Sequence, residues 1–151
     1  TANAKWSFVD TAKAHGKTSM FATIFFAILD VDSGLLTYCN GGHLPPLLIT
    51  AQGERQELLP TGPAVGAITD STFSVREVMV GHGAVLFAYT DGLTETPDPQ
   101  GEPFSLDEAI AHTASADALD VILDRIQQQV TAFASSTKQV DDITMLAIRR
   151  R

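Results

Sequence analysis

The stretch that decides the fold is Ala84-Val85-Leu86-Phe87-Ala88-Tyr89-Thr90-Asp91-Gly92. Its first six residues are apolar at both alternating sets of positions. They read as a strand in the middle of a sheet that is covered on both sides. The strand stops at Thr90-Asp91-Gly92, where a rigid element delivers a carboxylate to the sheet edge. Gly92 lets the backbone turn away and leaves room beside that carboxylate for an ion or a phosphate. The same three residues also read as a plain Asp-Gly turn, and the stretch alone does not choose between the two.

Upstream, Phe21-Ala22-Thr23-Ile24-Phe25-Phe26-Ala27-Ile28-Leu29 is again apolar on both faces, a second buried strand. Asp30 to Gly34 supplies turn chemistry, and residues 35–39 return as the hairpin partner. Asn40-Gly41-Gly42-His43 breaks that strand, Pro45-Pro46 keeps the chain extended, and residues 47–49 form a third strand. A turn at Gln52-Gly53 leads to a short strand near 56–59. Residues 60–70 form a loop, and 72–80 alternate imperfectly. Residues 1–19 are poorly patterned: Trp6, Phe8 and Val9 suggest a short strand and 11–18 a loop.

Downstream, the period changes after Pro97-Asp98-Pro99. Ser105-Leu106-Asp107-Glu108 fits a capping box and predicts a helix over 105–113. Leu119, Ile122, Leu123, Ile126, Val130 and Phe133 make one apolar stripe, which predicts a second helix over 117–134. The last strand, 143–148, is entered from Asp141-Asp142. Consecutive hairpins mean antiparallel pairing. Doubly apolar strands need cover on two sides, so the fold is α+β, with helices on one side of a sheet and a second sheet on the other.

The chain has 151 residues, enough for one domain or part of a larger one. Apolar residues make up 44% and charged ones 19%, a globular composition. The net charge is −8 and the pI about 4.7, which argues against nucleic acid as a partner. No apolar run reaches the ~18–20 residues of a membrane helix, so direct membrane insertion is not expected. Cys39 is the single cysteine and reads as a small core residue. It excludes an intrachain disulfide framework, and the cytoplasm is the simplest home.

Asp141-Asp142 is the second candidate for chemistry. Side chains alternate along a strand, so one acid can enter a site while the other faces water. It also reads as a solvated acidic turn. If the two strands that meet Asp91 and Asp141-Asp142 are neighbours, their carboxylates lie side by side in an oxygen-only site suited to Mg²⁺ or Mn²⁺. His43 is a third candidate, as a general acid, a ligand, a phosphate contact or a purely structural residue. Residues 59–66 could act as a flap or be an ordinary connection.

In order along the chain, residues 21–30, the run from Tyr38 to Pro46, the loop Gly62-Pro63-Ala64-Val65-Gly66, the segment Tyr89-Thr90-Asp91-Gly92-Leu93-Thr94-Glu95, and Val140-Asp141-Asp142-Ile143-Thr144 form a set. The set resembles the PPM-type, metal-dependent Ser/Thr protein phosphatases of bacteria, in the sporulation-protein-E-like branch. The resemblance covers residues 20–151 and implies an α-β-β-α sandwich of antiparallel sheets with a metal site at one edge. It implies hydrolysis of phosphoserine or phosphothreonine on a regulatory protein, of the anti-sigma-factor antagonist type, by a water activated on Mn²⁺ or Mg²⁺. Asp91 with Gly92 matches the family's Asp-Gly ligand motif. Asp141-Asp142 matches its last ligand motif, with Asp141 in the ligand position. The family's early Asp-Gly ligand and its Asp-x-Ser-Gly-x-Gly motif have no match here; residues 10–16, with Asp10, are only faintly similar to the second. The resemblance therefore implies the C-terminal part of a phosphatase domain, incomplete at its N-terminal side. The alternative is a degenerate, non-catalytic domain that binds a regulatory partner or forms a homodimer.

Overall fold

A computed structural model describes residues 21–111, 118–135 and 141–151. Asp10, the expected strand near Trp6 and the C-terminal end of the first expected helix lie outside the described residues. The strands are β1 (Ile24–Leu29), β2 (Leu35–Gly41), β3 (Leu47–Ile49), β4 (Arg55–Glu57), β5 (Arg76–Met79), β6 (Val85–Tyr89) and β7 (Met145–Arg149). The helices are α1 (Asp91–Thr94), α2 (Leu106–Ala111) and α3 (Leu119–Ala134).

All strand pairs are antiparallel, in two sheets ordered β1-β2-β5 and β4-β3-β6-β7. Strand alternation sorts the side chains between layers. From the second sheet, Leu47, Phe87 and Ala147 face the helices and pack on Ile110, Ile122, Ile126 and Val130. Leu48 and Leu86, on the opposite face, meet Leu36, Tyr38, Phe25 and Leu29 of the first sheet. The layers run helix, sheet, sheet, as the sequence predicts. The serine half of the capping box is present: Glu108 N–H donates to Ser105 Oγ at 3.4 Å.

One end of the sandwich is clamped by Arg150. Its Nη1 donates to the Val80 carbonyl at 3.0 Å, and its Nη2 to the carbonyls of Asp32 at 2.8 Å and Val31 at 3.2 Å. A single guanidinium thus ties the end of β7 to the β1–β2 turn and the end of β5. Gly34 in that turn has φ +83°, and an added Cβ would collide with the same guanidinium and with the Val80 carbonyl. Asp30 closes the turn by accepting the N–H groups of Ser33 and Asp32, both at 3.0 Å. Those bonds hold its carboxyl below the usual carboxylate range.

Two expectations are corrected here. Residues 21–29 were expected to be covered on both faces, but β1 is an edge strand with one open face. Phe25, Ala27 and Leu29 point into the sandwich; Ile24, Phe26 and Ile28 point away, the last two 61% and 62% exposed. No helix among the described residues packs on that side. Cys39 is paired with Phe26 and shares the outward face, so it is not a core residue.

The outward face also carries Met79 on β5, with Phe21 and Val75 exposed nearby in the chain, the kind of exposed apolar grouping that marks an association surface. The 151-residue chain is expected to self-associate through it at tens of micromolar. Sedimentation equilibrium checks this: the double substitution Phe26→Lys, Ile28→Lys should shift the species to monomer. A wild-type chain that is already monodisperse and monomeric would contradict it.

Candidate metal centre

The site candidates gather at the end of the sandwich opposite Arg150. Tyr89 pairs with Met145, so β6 ends where β7 begins. Thr90 extends the pairing by one residue: its N–H donates to the Thr144 carbonyl at 3.1 Å. The Thr90 hydroxyl then acts twice, accepting the Thr144 N–H and donating to the Asp142 carbonyl, each at 3.0 Å. One side chain therefore fixes residues 142–144 against the strand that carries Asp91. The sequence signal for this role is a hydroxyl residue just before the acid at a strand end.

Gly92 closes the approach. A Cβ there would lie 2.5 Å from the Asp142 carbonyl oxygen and 3.1 Å from that of Asp141. On its Cβ side, the room at Gly92 is thus occupied by the 141–142 backbone. The glycine is needed because two backbone segments meet at it. Nor does the chain simply turn away: Asp91 opens α1, a single helical turn with Gly92 and Leu93 buried. Thr96 Oγ1 donates to the Gly92 carbonyl at 2.7 Å and holds that turn closed.

Asp91 and the Asp141-Asp142 pair are therefore brought to one sheet edge, and all three residues are exposed. Asp91 Oδ1 accepts the Gly92 N–H at 3.0 Å, and Asp141 Oδ1 accepts the Asp142 N–H at 2.7 Å. Each carboxylate is oriented by the next backbone amide. The donor set is hard oxygen, the chemistry of Mg²⁺ and Mn²⁺. Among the described residues, no group of three or more His, Cys, Asp or Glu side chains converges as a metal site. Residues 141–144 precede β7, so the acids stand before the strand and not in its first positions.

His43 sits at the same end, since β3 runs antiparallel to β6 and the chain before Leu47 travels toward Tyr89 and Asp91. It is held by its backbone: its N–H donates to Asn40 Oδ1 at 2.8 Å. Asn40 is fully buried and organises this end. Its Nδ2 donates to the Leu58 carbonyl at 3.1 Å, its N–H to Thr61 Oγ1 at 3.0 Å, and its carbonyl accepts Thr61 N–H at 2.8 Å. The loop considered as a flap is thereby fastened. Val65 and Ala22 exchange backbone hydrogen bonds at 2.8 and 2.9 Å, which anchors its middle.

Comparison with known proteins adds four likenesses. Residues 7–151 match the family profile described as Stage II sporulation protein E (SpoIIE). Protein IcfG of Synechocystis sp. is 39% identical over 140 residues, covering 92% of this chain and 22% of IcfG. The chain thus spans about a fifth of that relative. The crystal structure of the RsbU and RsbW domains of Rv1364c from Mycobacterium tuberculosis matches with TM-score 0.67 at 33% identity, over 98% of this chain and 43% of that one. The phosphatase domain of SpoIIE from Bacillus subtilis, presoaked with Mn, matches with TM-score 0.62 at 16% identity, over 95% of this chain and 62% of that one.

If the Thr90 latch positions the acids, Thr90→Val should lower stability by about 0.5–1.5 kcal/mol, because it removes two hydrogen bonds at an exposed edge that water replaces only in part. Gly92→Ala should cost at least as much, since the collision is with backbone. Urea midpoints at constant m-value check both. Wild-type stability in both variants would mean that residues 141–144 are held by something else.

Proposed function

Because the chain belongs to the SpoIIE family, we propose that it is the C-terminal part, residues 20–151, of a metal-dependent phosphatase domain acting on phosphoserine or phosphothreonine. The substrate class is a regulatory protein of the anti-sigma-factor antagonist type. The observation that carries the reading is the convergence of Asp91 and Asp141 at the end of the β6–β7 pair. These carboxylates would hold a divalent cation, Mn²⁺ or Mg²⁺. When bound, such an ion lowers the pKa of a water and offsets phosphate charge.

The chain's own residues do the positioning. Gly92 N–H and Asp142 N–H each direct one oxygen of the acid that they follow. Asp141 takes the ligand position of the pair, and Asp142 beside it adds negative charge to the same edge, which favours a cation there. His43, whose backbone N–H is held by Asn40, is our candidate to meet a phosphate oxygen or the leaving hydroxyl. The residues fit a metal, but two carboxylates make a weak site, since hard cations gain affinity with ligand count and charge.

Support for metal and substrate class comes by likeness. One structural neighbour is a phosphatase domain presoaked with Mn, and another pairs an RsbU with an RsbW domain. No helix among the described residues is long and apolar enough to cross a membrane. We place the protein in the cytoplasm on its cysteine usage. The second reading, a non-catalytic domain that binds a regulatory partner, is favoured by one observation: fewer than three metal-capable side chains converge among the described residues.

Calorimetric titration with Mn²⁺ should show one weak site on the 151-residue chain. Asp91→Asn and Asp141→Asn should each weaken it by at least about tenfold, or ~1.4 kcal/mol. Turnover of phosphoserine on the regulatory protein should be slow, Mn²⁺-dependent and abolished by Asp91→Asn. Partner binding without any metal-dependent turnover would favour the second reading. Unchanged Mn²⁺ affinity in both variants would remove these residues as ligands.

A further inference from the structure

Beside the β3–β4 turn, away from the carboxylates, a cleft of about 330 Å³ opens between the helices and the second sheet. Ile49, Val85, Phe87, Ile110 and Ile122 wall it, and Arg55 is the one charged residue that lines it among the described residues. Its volume is at the lower end of the ~300–1,000 Å³ range of small-molecule pockets. Apolar cavities of only about 150 Å³, walled by Leu, Ile and Phe, stay dry and take up benzene. This cleft has the same kind of wall and room for a somewhat larger molecule.

Arg55 supplies the polar element. It sits opposite Ile49 in the β3–β4 pair, so both side chains stand on the helix-facing side of the sheet. From there its guanidinium crosses to α2, where Nη1 donates to the Asp107 carboxylate at 3.1 Å and to the Asp107 carbonyl at 3.3 Å. The side chain therefore spans from the strand beside Ile49 to the helix that carries Ile110, two walls of the cleft. Both bonds use Nη1; Nε and Nη2 bond to no described residue. The Arg55 side chain is 30% exposed, within reach of a ligand, and that of Asp107 is 87% exposed. An ion pair so open to water holds its partners weakly.

The charge of Arg55 is already matched by Asp107, so what it has left to offer is hydrogen bonds. A carboxylate ligand would share the guanidinium with Asp107 and stand near Glu57, two residues along the same face of β4, in a chain of net charge −8. A neutral carbonyl oxygen meets no such repulsion, and a hydrogen bond from a charged donor is stronger than one between neutral groups. We infer that this cleft binds an uncharged small molecule with an apolar body and one carbonyl acceptor, the body among Val85, Phe87, Ile110 and Ile122 and the carbonyl oxygen on Arg55. This site is separate from the Asp91–Asp141 edge and does not depend on the phosphatase reading.

Three probes of nearly one shape test this: acetophenone carries the carbonyl, ethylbenzene lacks it, and benzoate replaces it with a charge. Each is titrated into the ¹⁵N-labelled 151-residue chain while the Arg55 Nε–Hε resonance and the amides of Gly53, Val85 and Ile122 are followed. Burial alone would favour ethylbenzene, the more apolar of the two neutral probes. Acetophenone should nevertheless give a saturable shift and bind at least about fivefold more tightly than ethylbenzene, the effect of a hydrogen bond to a charged group. Benzoate should bind more weakly than acetophenone. Arg55→Met should bring acetophenone down to the ethylbenzene level and leave ethylbenzene unchanged. The ion pair it removes is exposed, so this variant should fold as wild type does. The comparison of the three probes on wild type stands without it. No saturable shift at these residues, ethylbenzene binding as tightly as acetophenone, benzoate binding more tightly than acetophenone, or undiminished acetophenone binding by Arg55→Met would each overturn the assignment.

Discussion

The pairing of β6 with β7, closed at its end by the Thr90 hydroxyl, is the constraint from which the functional end of this protein follows. Asp91 and Asp141 are far apart in the chain and have no local reason to meet. The register that sets Tyr89 against Met145 brings their segments within one residue of contact. Thr90 then carries the pairing past the strand, and Gly92 lets the two backbones touch. Hydrophobic burial fixes the register from below. Phe87 and Ala147 must face the helices, and a one-residue slip would turn them to the other side.

The two ends of the sandwich are secured by different chemistry. At one end Arg150, which follows the last strand of the second sheet, binds carbonyls at the ends of first-sheet strands, which commits its donors to structure. At the other, the uncharged side chain of buried Asn40 does the tying, fastening the loop after β4 and the segment that carries His43. Neutral amide bonding there leaves the carboxylates as the charged groups set at that edge. A cation arriving at the edge would meet acids already oriented by neighbouring amides, and that orientation reduces the entropy lost on binding.

Much of this fold was legible from residue pattern. The two-faced run before Asp91 gave the central strand, and the stripe from Leu119 to Phe133 gave α3 with its buried Ile122, Ile126 and Val130. The acids at the sheet edge were legible because strand ends are marked by where the apolar run stops. Other features were hidden by distance along the chain. Asn40 reads as a turn residue, yet its bonds reach Leu58 and Thr61, 18 and 21 residues away. Thr90 bonds to Asp142 and Thr144, 52 and 54 residues away. The run 21–29 misled for a third reason: an apolar pattern reports what a strand can bury, and the described residues supply cover for one of its faces only. Gly92 misled because a glycine shows that space is needed but not what fills it.

Membership of the SpoIIE family stands on the match over residues 7–151, and the helix-sheet-sheet layering on the two core clusters on either face of the second sheet. The chemistry stands on the claim that Asp91 and Asp141 share one divalent cation. Paramagnetic broadening by Mn²⁺ tests that claim most directly. Substoichiometric Mn²⁺ added to the ¹⁵N-labelled chain should broaden the amides of Gly92 and Asp142 together and first, with Arg150 and Gly34 at the far end unaffected. Broadening centred on another acidic segment, or loss of the Gly92 signal without that of Asp142, would contradict a shared cation at this edge.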